Sequence, residues 1–183
     1  MSQQTSGMVV WLTGYPASGK STLARVVADA LRTSGAPVCV LDGDEVRAAL
    51  HPTPGYDDRA RADFYASLAG LAALLAKQGL VVLVPATAHR ASFRDTARAL
   101  APQFVEVFVD TPLAECQRRD PKGLYQRAPS TLPGSGMAYE PPQHPDLTVR
   151  PGEPAAEALV DLIRSRRGDI RREAGAKPRS PAT

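Results

Sequence analysis

The chain has 183 residues, 43% of them hydrophobic and 22% charged, and a formal net charge of +3. That length buries a core in one domain without disulfides or structural metal, and the composition is that of an ordinary globular protein. The charge is uneven: from Arg164 onward seven Lys/Arg face Asp169 and Glu173, a net +5, while 15 basic against 17 acidic residues leave −2 on the rest, which excludes a nucleic-acid footprint on the folded body.

Residues 1 to 13 have neither a basic segment nor an apolar run long enough for a secretory signal, and no stretch reaches the length of a membrane span. Cys39 and Cys116 lack ligand-type spacing and suit a reducing compartment. A cytoplasmic protein with no membrane partner is expected.

Met8–Thr13 reads as a strand, and Gly14 to Thr22, "GYPASGKST", follows at once. Gly14-x-x-x-x-Gly19-Lys20-Ser21 is the Walker A pattern in its expected setting, after a strand and opening a helix at Lys20–Thr33. In such a loop the backbone from Gly14 through Tyr15, Pro16, Ala17, Ser18 and Gly19 to Thr22 wraps nucleotide phosphates, and the helix N-terminus adds its positive dipole end. Lys20 is placed to reach the β- and γ-phosphates of ATP, and the Ser21 hydroxyl to bind the accompanying Mg²⁺.

Pro37–Leu41 is the next strand, expected beside the first, and it runs into "VLDGDEVR", Val40 to Arg47. Asp42-Gly43-Asp44 reads either as a turn with a helix N-cap or, beside a Walker A loop, as acids that take a proton from an attacking hydroxyl or hold Mg²⁺ through water; the second reading is preferred. Arg47 and Arg61 suit an anionic acceptor, since a guanidinium matches phosphate or sulfate geometry; the bland alternative is a solvent-facing charge. In a long helix over Asp58–Gln78, Phe64, Leu68, Leu71 and Leu75 recur at three- and four-residue steps and define a core face.

Strands at Leu80–Ala86, Phe104–Asp110 and Leu147–Val149 alternate with helices at Arg90–Leu100, Pro112–Gln117 and Glu153–Arg166. Val- and Leu-rich strands alternating with helices predict an α/β fold: three layers around a central, mostly parallel five-stranded sheet, with ligands beyond the C-terminal strand ends. Gly35 and Gly79 follow their helices where a left-handed cap belongs. Asp110-Thr111-Pro112 reads either as a Walker B-type acid at a strand end or as a helix N-cap with Pro in the first turn, the cap preferred, and Trp11 as core under the loop. Arg127 to Pro142, dense in Pro, Gly and Ser, reads as a lid over the nucleotide or as a surface loop. His51, His89 and His144 stand in turn-like contexts without ligand spacing, so no protein-held transition metal is expected. The folded domain is assigned to 1–167, with a lid at about 119–142 and a basic tail at 168–183.

The stretches "WLTGYPASGKSTLA", "VLDGDEVR", "KQGLVVL", "VEVFVDTPLAECQRRDPKGLY" and "YEPPQHPDL" resemble the adenylylsulfate kinase (APS kinase) family, from about Val9 to Arg164. The resemblance implies a P-loop kinase fold and transfer of the ATP γ-phosphoryl to the 3′-hydroxyl of adenosine 5′-phosphosulfate (APS), giving PAPS and ADP in sulfate assimilation. It also implies Mg²⁺ and, usually, a homodimer. Carried over by position, Lys20, Asp42 and Asp44 would be catalytic, with Asp44 near the acceptor hydroxyl; Arg47 and Arg61 would bind the phosphosulfate. Arg119 would pack on the ATP adenine, and Lys122 with Tyr139 to Pro142 would frame the lid.

The acceptor side departs from the family pattern. Phe64 stands where the family has an acceptor-binding Asn, and Ala66 and Ser67 replace an Arg pair. Phe64 is thus either an altered acceptor contact or one more core residue. "PATAHR" replaces a Phe-Ile-Ser-Pro-Tyr-Arg stretch, which puts Thr87 on the family's serine, or Ala88 if shifted by one. The lid lacks a Lys-Gly-Phe-Thr-Gly segment, with Met137 as the candidate for the Phe position. The alternatives are a related kinase with another small hydroxyl acceptor, or a non-catalytic nucleotide-binding module.

Overall fold

The computed structural model describes residues 7–168 except 128 and 152; of the tail assigned to 168–183, all but Gly168 lies outside the described residues. Five strands, β1 (Met8–Thr13), β2 (Val38–Val40), β3 (Val81–Pro85), β4 (Phe104–Val109) and β5 (Leu147–Val149), form one sheet. Every pairing is parallel, in the order β2-β3-β1-β4-β5. The expected neighbour of β1 is therefore corrected: β3, not β2, lies beside it, with Val10 opposite Leu83.

The helices are α1 (Lys20–Thr33), α2 (Gly43–Ala49), α3 (Asp58–Lys77), α4 (Ala91–Leu100), α5 (Leu113–Arg119), α6 (Leu124–Arg127) and α7 (Ala155–Arg167). Side chains alternate across β1 with period two. Met8, Val10 and Leu12 meet α1 and α7 through Val27, Leu31, Leu159 and Ile163, whereas Val9 and Trp11 meet α3 and α4 through Leu68, Ala72 and Ala97. Both faces of the sheet are thus covered, giving the three layers expected from unbroken apolar strands.

The buried line of α3 is Phe64, Tyr65, Leu68, Ala69, Ala72, Ala73 and Ala76, while Leu71 is left exposed. Phe64 and Leu68 of the expected face are in the core and Leu75 packs against it; Leu71 faces out, and small alanines complete the contact with the sheet and α4. Gly35 and Gly79 take φ of 79° and 93° after their helices, as expected of cap residues.

The Pro/Gly-rich stretch follows α6 and is ordered by one short 3₁₀ turn at Pro129–Thr131 and a Pro133–Met137 bridge. Asp110 caps no helix; its carboxylate accepts from Arg150 Nε (3.1 Å), and Pro112 occupies the position before α5. Among the described residues no helix is long and apolar enough to cross a membrane.

Candidate active site

Loops leaving the C-terminal ends of all five strands converge at one edge of the sheet. The first is Gly14–Gly19, between β1 and α1. A side chain at Gly14 would put a Cβ 2.6 Å from the Val109 carbonyl oxygen, and its φ of 149° suits only glycine, so the loop lies directly against β4. Ala17 holds a left-handed φ of 61° in a residue that rarely takes it, which costs about 1–3 kcal/mol.

Lys20 folds back into this loop. Its Nζ donates to the carbonyl oxygens of Gly14 (3.0 Å) and Tyr15 (2.6 Å) and to Ser18 Oγ (3.4 Å). Burial pushes the ammonium down to about 8, against the opposing pull of Cys116, Asp44 and Asp42. The lysine therefore shapes the loop and also holds the one buried cationic group within it.

A chain of hydrogen bonds leads out of the loop. Ser21 Oγ donates to Asp42 Oδ2 at 2.5 Å, and Asp42 Oδ1 accepts from the Asp44 backbone N–H at 3.0 Å, capping α2. Asp42 is buried; the Asp44 side chain, two residues on, is 66% exposed and accepts from Lys122 Nζ at 2.5 Å. That bond, then the Asp44 charge, holds the Lys122 ammonium above its usual range. A Cβ added to Gly43 would meet the Ala86 Cβ at 3.1 Å, so the start of α2 rests on the end of β3. This seat lets a carboxylate from β2 reach the β1 loop although β3 lies between the two strands.

The two arginines expected on the acceptor side are buried, not solvent-facing. Arg47 Nη1 donates to the carbonyls of Pro54 (3.1 Å) and Gly55 (2.7 Å), and its guanidinium lies 3.9 Å above the Phe64 ring and 4.6 Å from that of Tyr56. Arg61 Nε donates to Tyr56 O (2.6 Å) and Nη2 to Thr131 O (2.9 Å). Phe64 is 3% exposed, with its edge against Tyr65 at 5.4 Å. It is the floor under Arg47 and a member of the α3 core. Ala66 and Ser67 are exposed on α3. Thr87 is half-buried, its carbonyl accepting from Thr13 Oγ1 at 2.6 Å.

Segments 119–142 lie over the loop. Tyr125 OH donates to Pro16 O (3.0 Å), and the Tyr139 hydroxyl pairs with Thr13 Oγ1 (3.0 Å) while its ring tilts on Tyr15 at 4.9 Å. Burial drives the Tyr139 phenol up to about 12, keeping it protonated. A Cβ at Gly134 would collide with the Tyr15 ring, so the stretch closes tightly on that side chain. Arg119 is tied to Glu115 (2.8 Å) and lines a cleft of about 470 Å³ with Ser18, Gly19, Thr22 and the start of α7.

Sequence reasoning missed the support beneath the β3 end. Buried Arg94 donates to Glu106 Oε1 (2.7 Å), to Ala88 O (2.6 Å) and to Glu140 O (2.8 Å), and Arg98 joins the same Glu106 at 2.7 Å. Nothing in their spacing marks them: one lies in a helix and the other in a strand, 12 residues apart. His89 lies in a turn, as its context suggests, but is 2% exposed.

A nucleotide loop on a parallel sheet, a buried lysine within it and a carboxylate relay at its mouth define a P-loop phosphotransferase of the small-molecule kinase type. The model of the adenylylsulphate kinase family matches residues 6–150. An adenylyl-sulfate kinase from Synechococcus sp. (strain JA-2-3B'a(2-13)) is 38% identical over 161 residues, covering 86% of this chain and 92% of its own. One from Aeromonas salmonicida (strain A449) is 41% identical over 163 residues, covering 85% and 83%. The solved APS kinase CysC of Mycobacterium tuberculosis in complex with AMPPNP and APS superposes with a TM-score of 0.81 at 39% identity, over 86% of this chain and 98% of that one. The chain belongs to the adenylylsulphate kinase family.

Proposed function

We propose that the chain transfers the γ-phosphoryl group of ATP to the 3′-hydroxyl of APS, yielding PAPS and ADP. The observation that carries this is the relay from Ser21 through Asp42 to the Asp44 backbone and on to Lys122. It joins a phosphate loop to an exposed carboxylate and to the overlying segment, as phosphoryl transfer to a small alcohol requires.

Chemistry of this kind is mostly positioning and charge neutralisation. The loop amides and Lys20 hold the triphosphate; Lys20 exchanges the carbonyls of Gly14 and Tyr15 for phosphate oxygens. Arg119 borders the cleft assigned to the ATP base. The Ser21 hydroxyl and the Asp42 carboxylate are hard oxygen donors that suit Mg²⁺, directly or through water, and they would hold the ion that accompanies ATP. That ion supplies charge neutralisation on the phosphate oxygens. Asp44 accepts or orients the proton of the attacking hydroxyl once Lys122 moves from it toward an acceptor anion. Arg47 and Arg61, fixed along one edge by backbone carbonyls, present guanidinium groups to the phosphosulfate. Residues 119–142 act as the lid, anchored by Tyr125 and Tyr139.

The test is ADP release measured with and without APS. Release that depends on APS and saturates with it is expected; release unaffected by APS, or prompted equally by unrelated alcohols, contradicts the assignment.

A further inference from the structure

His89 is a buried polar residue that the chemistry above does not use. It sits just past the C-terminal end of β3 and is 2% exposed, and among the described residues neither ring nitrogen finds a hydrogen-bond partner. The neighbouring groups of its turn are tied in. The Tyr65 hydroxyl accepts from the Ala88 N–H (3.0 Å), and Arg94 donates to the Ala88 carbonyl. The His89 carbonyl accepts from Glu140 N–H (2.8 Å), and Glu140 Oε2 accepts from Ala91 N–H (2.6 Å). Ala88 is held at a left-handed φ of 41°, and Phe93 stands edge-on to the imidazole at 5.4 Å. A buried pair of donor and acceptor sites left unpaired in an otherwise paired turn calls for a partner from outside the chain.

Burial, then the neighbouring charges of Arg61 and Arg90, holds the ring down to about 4, so at neutral pH it is an uncharged imidazole with one N–H donor and one acceptor. Such a ring does not neutralise an anion. It reads an uncharged polar edge.

We propose that His89 is a specificity-determining residue of the acceptor site. Its imidazole hydrogen-bonds an uncharged polar group of the acceptor nucleoside, base edge or ribose hydroxyl, while Arg47 and Arg61 take the anion. The proposal rests on the APS reading given above. It also gives this chain a polar group where Phe64 offers none.

The test uses the full chain and three variants, His89→Phe, His89→Gln and Arg61→Ala. For H89F the KM for APS rises about tenfold or more, kcat changes less than threefold, and ATP affinity and melting temperature do not fall, because an unpaired polar group has been removed. H89Q, which keeps a donor and an acceptor, restores most of the KM. R61A weakens APS and the bare anion pyrophosphate alike, whereas H89F weakens only APS. Independently, ring ¹⁵N resonances of His89, one of three histidines, assigned by their loss in H89Q, shift when APS is added with ADP present.

An unchanged KM in H89F overturns the proposal, as does an unshifted His89 resonance at saturating APS. Equal loss of melting temperature and ATP binding in H89F and H89Q assigns the ring a structural role and also overturns it. Should H89F not fold, H89Q and the resonances decide. A wild-type chain that neither binds nor phosphorylates APS sinks the APS reading first, an outcome distinct from wild-type turnover that is indifferent to His89.

Discussion

Lys20 is a buried ammonium whose oxygen partners, two loop carbonyls and Ser18, are all uncharged. Its ordinary value of 10.5 is lowered to about 8, by burial above all, so a bound triphosphate must raise it again. The sign follows directly. Near and above pH 8 the free protein has lost part of this proton, and binding takes it back. We expect ATP binding to take up protons there, and affinity to weaken as pH rises past 8, measured by calorimetry in buffers of different ionisation enthalpy. Lys20→Ala removes both the effect and transfer. Asp44 differs: its backbone N–H meets Asp42, while its exposed carboxylate carries the link to Lys122. Asp44→Asn is expected to lower kcat by about 10²–10⁴ while leaving ATP affinity within about twofold; unchanged turnover in a steady-state assay removes its role. Lys20, Ser21, Asp42 and Asp44 are legible in the sequence because their spacing is set by backbone geometry. His89 is not, since a lone imidazole has no periodicity and only the fold says that it is buried.

The α3 helix shows what pattern reading conveys and what it does not. Its length and the Phe64, Leu68 and Leu75 side of its core face are legible; the exposure of Leu71 and the alanines that complete the face are not, because the packing partner is a close-lying sheet that selects small residues. Phe64 stands between the Arg47 guanidinium and the Tyr65 ring. Phe64→Asn is expected to cost about 3 kcal/mol, read as a lower denaturant midpoint, and to free Arg47 from its floor. A rise in APS turnover at unchanged stability would instead make Phe64 an altered acceptor contact. The 119–142 stretch was legible only as an exception to the strand–helix rhythm. Its anchors, Tyr125 on Pro16 and Tyr139 on Thr13, pair residues more than 100 positions apart.

For the whole molecule, strand–helix alternation made the layered parallel fold legible, but not the strand order. The C-terminal ends of β2 and β1 must both serve the site, and the sequence alone suggests that they adjoin. The structure inserts β3 between them, which brings the Thr87–Arg90 turn into the same edge and sets it over the Arg94–Glu106 pair. That pair is 3% and 8% exposed in its side chains, so removing Arg94 leaves Glu106 with the half-exposed Arg98 alone and takes the donor from the Ala88 and Glu140 carbonyls. Arg94→Ala is expected to cost about 3–5 kcal/mol in chemical denaturation, far more than loss of the exposed Arg25–Glu45 pair, at most about 1 kcal/mol.

On the proposed reading, ATP and an alcohol meet at one end of the sheet and exchange a single phosphoryl group. Phosphorus NMR of the chain mixed with ATP, Mg²⁺ and APS tests this most directly. We predict a new 3′-phosphomonoester signal growing in step with ADP, with no inorganic phosphate, and neither signal with Lys20→Ala. ATP that stays intact, or that yields inorganic phosphate while APS remains unmodified, would contradict it.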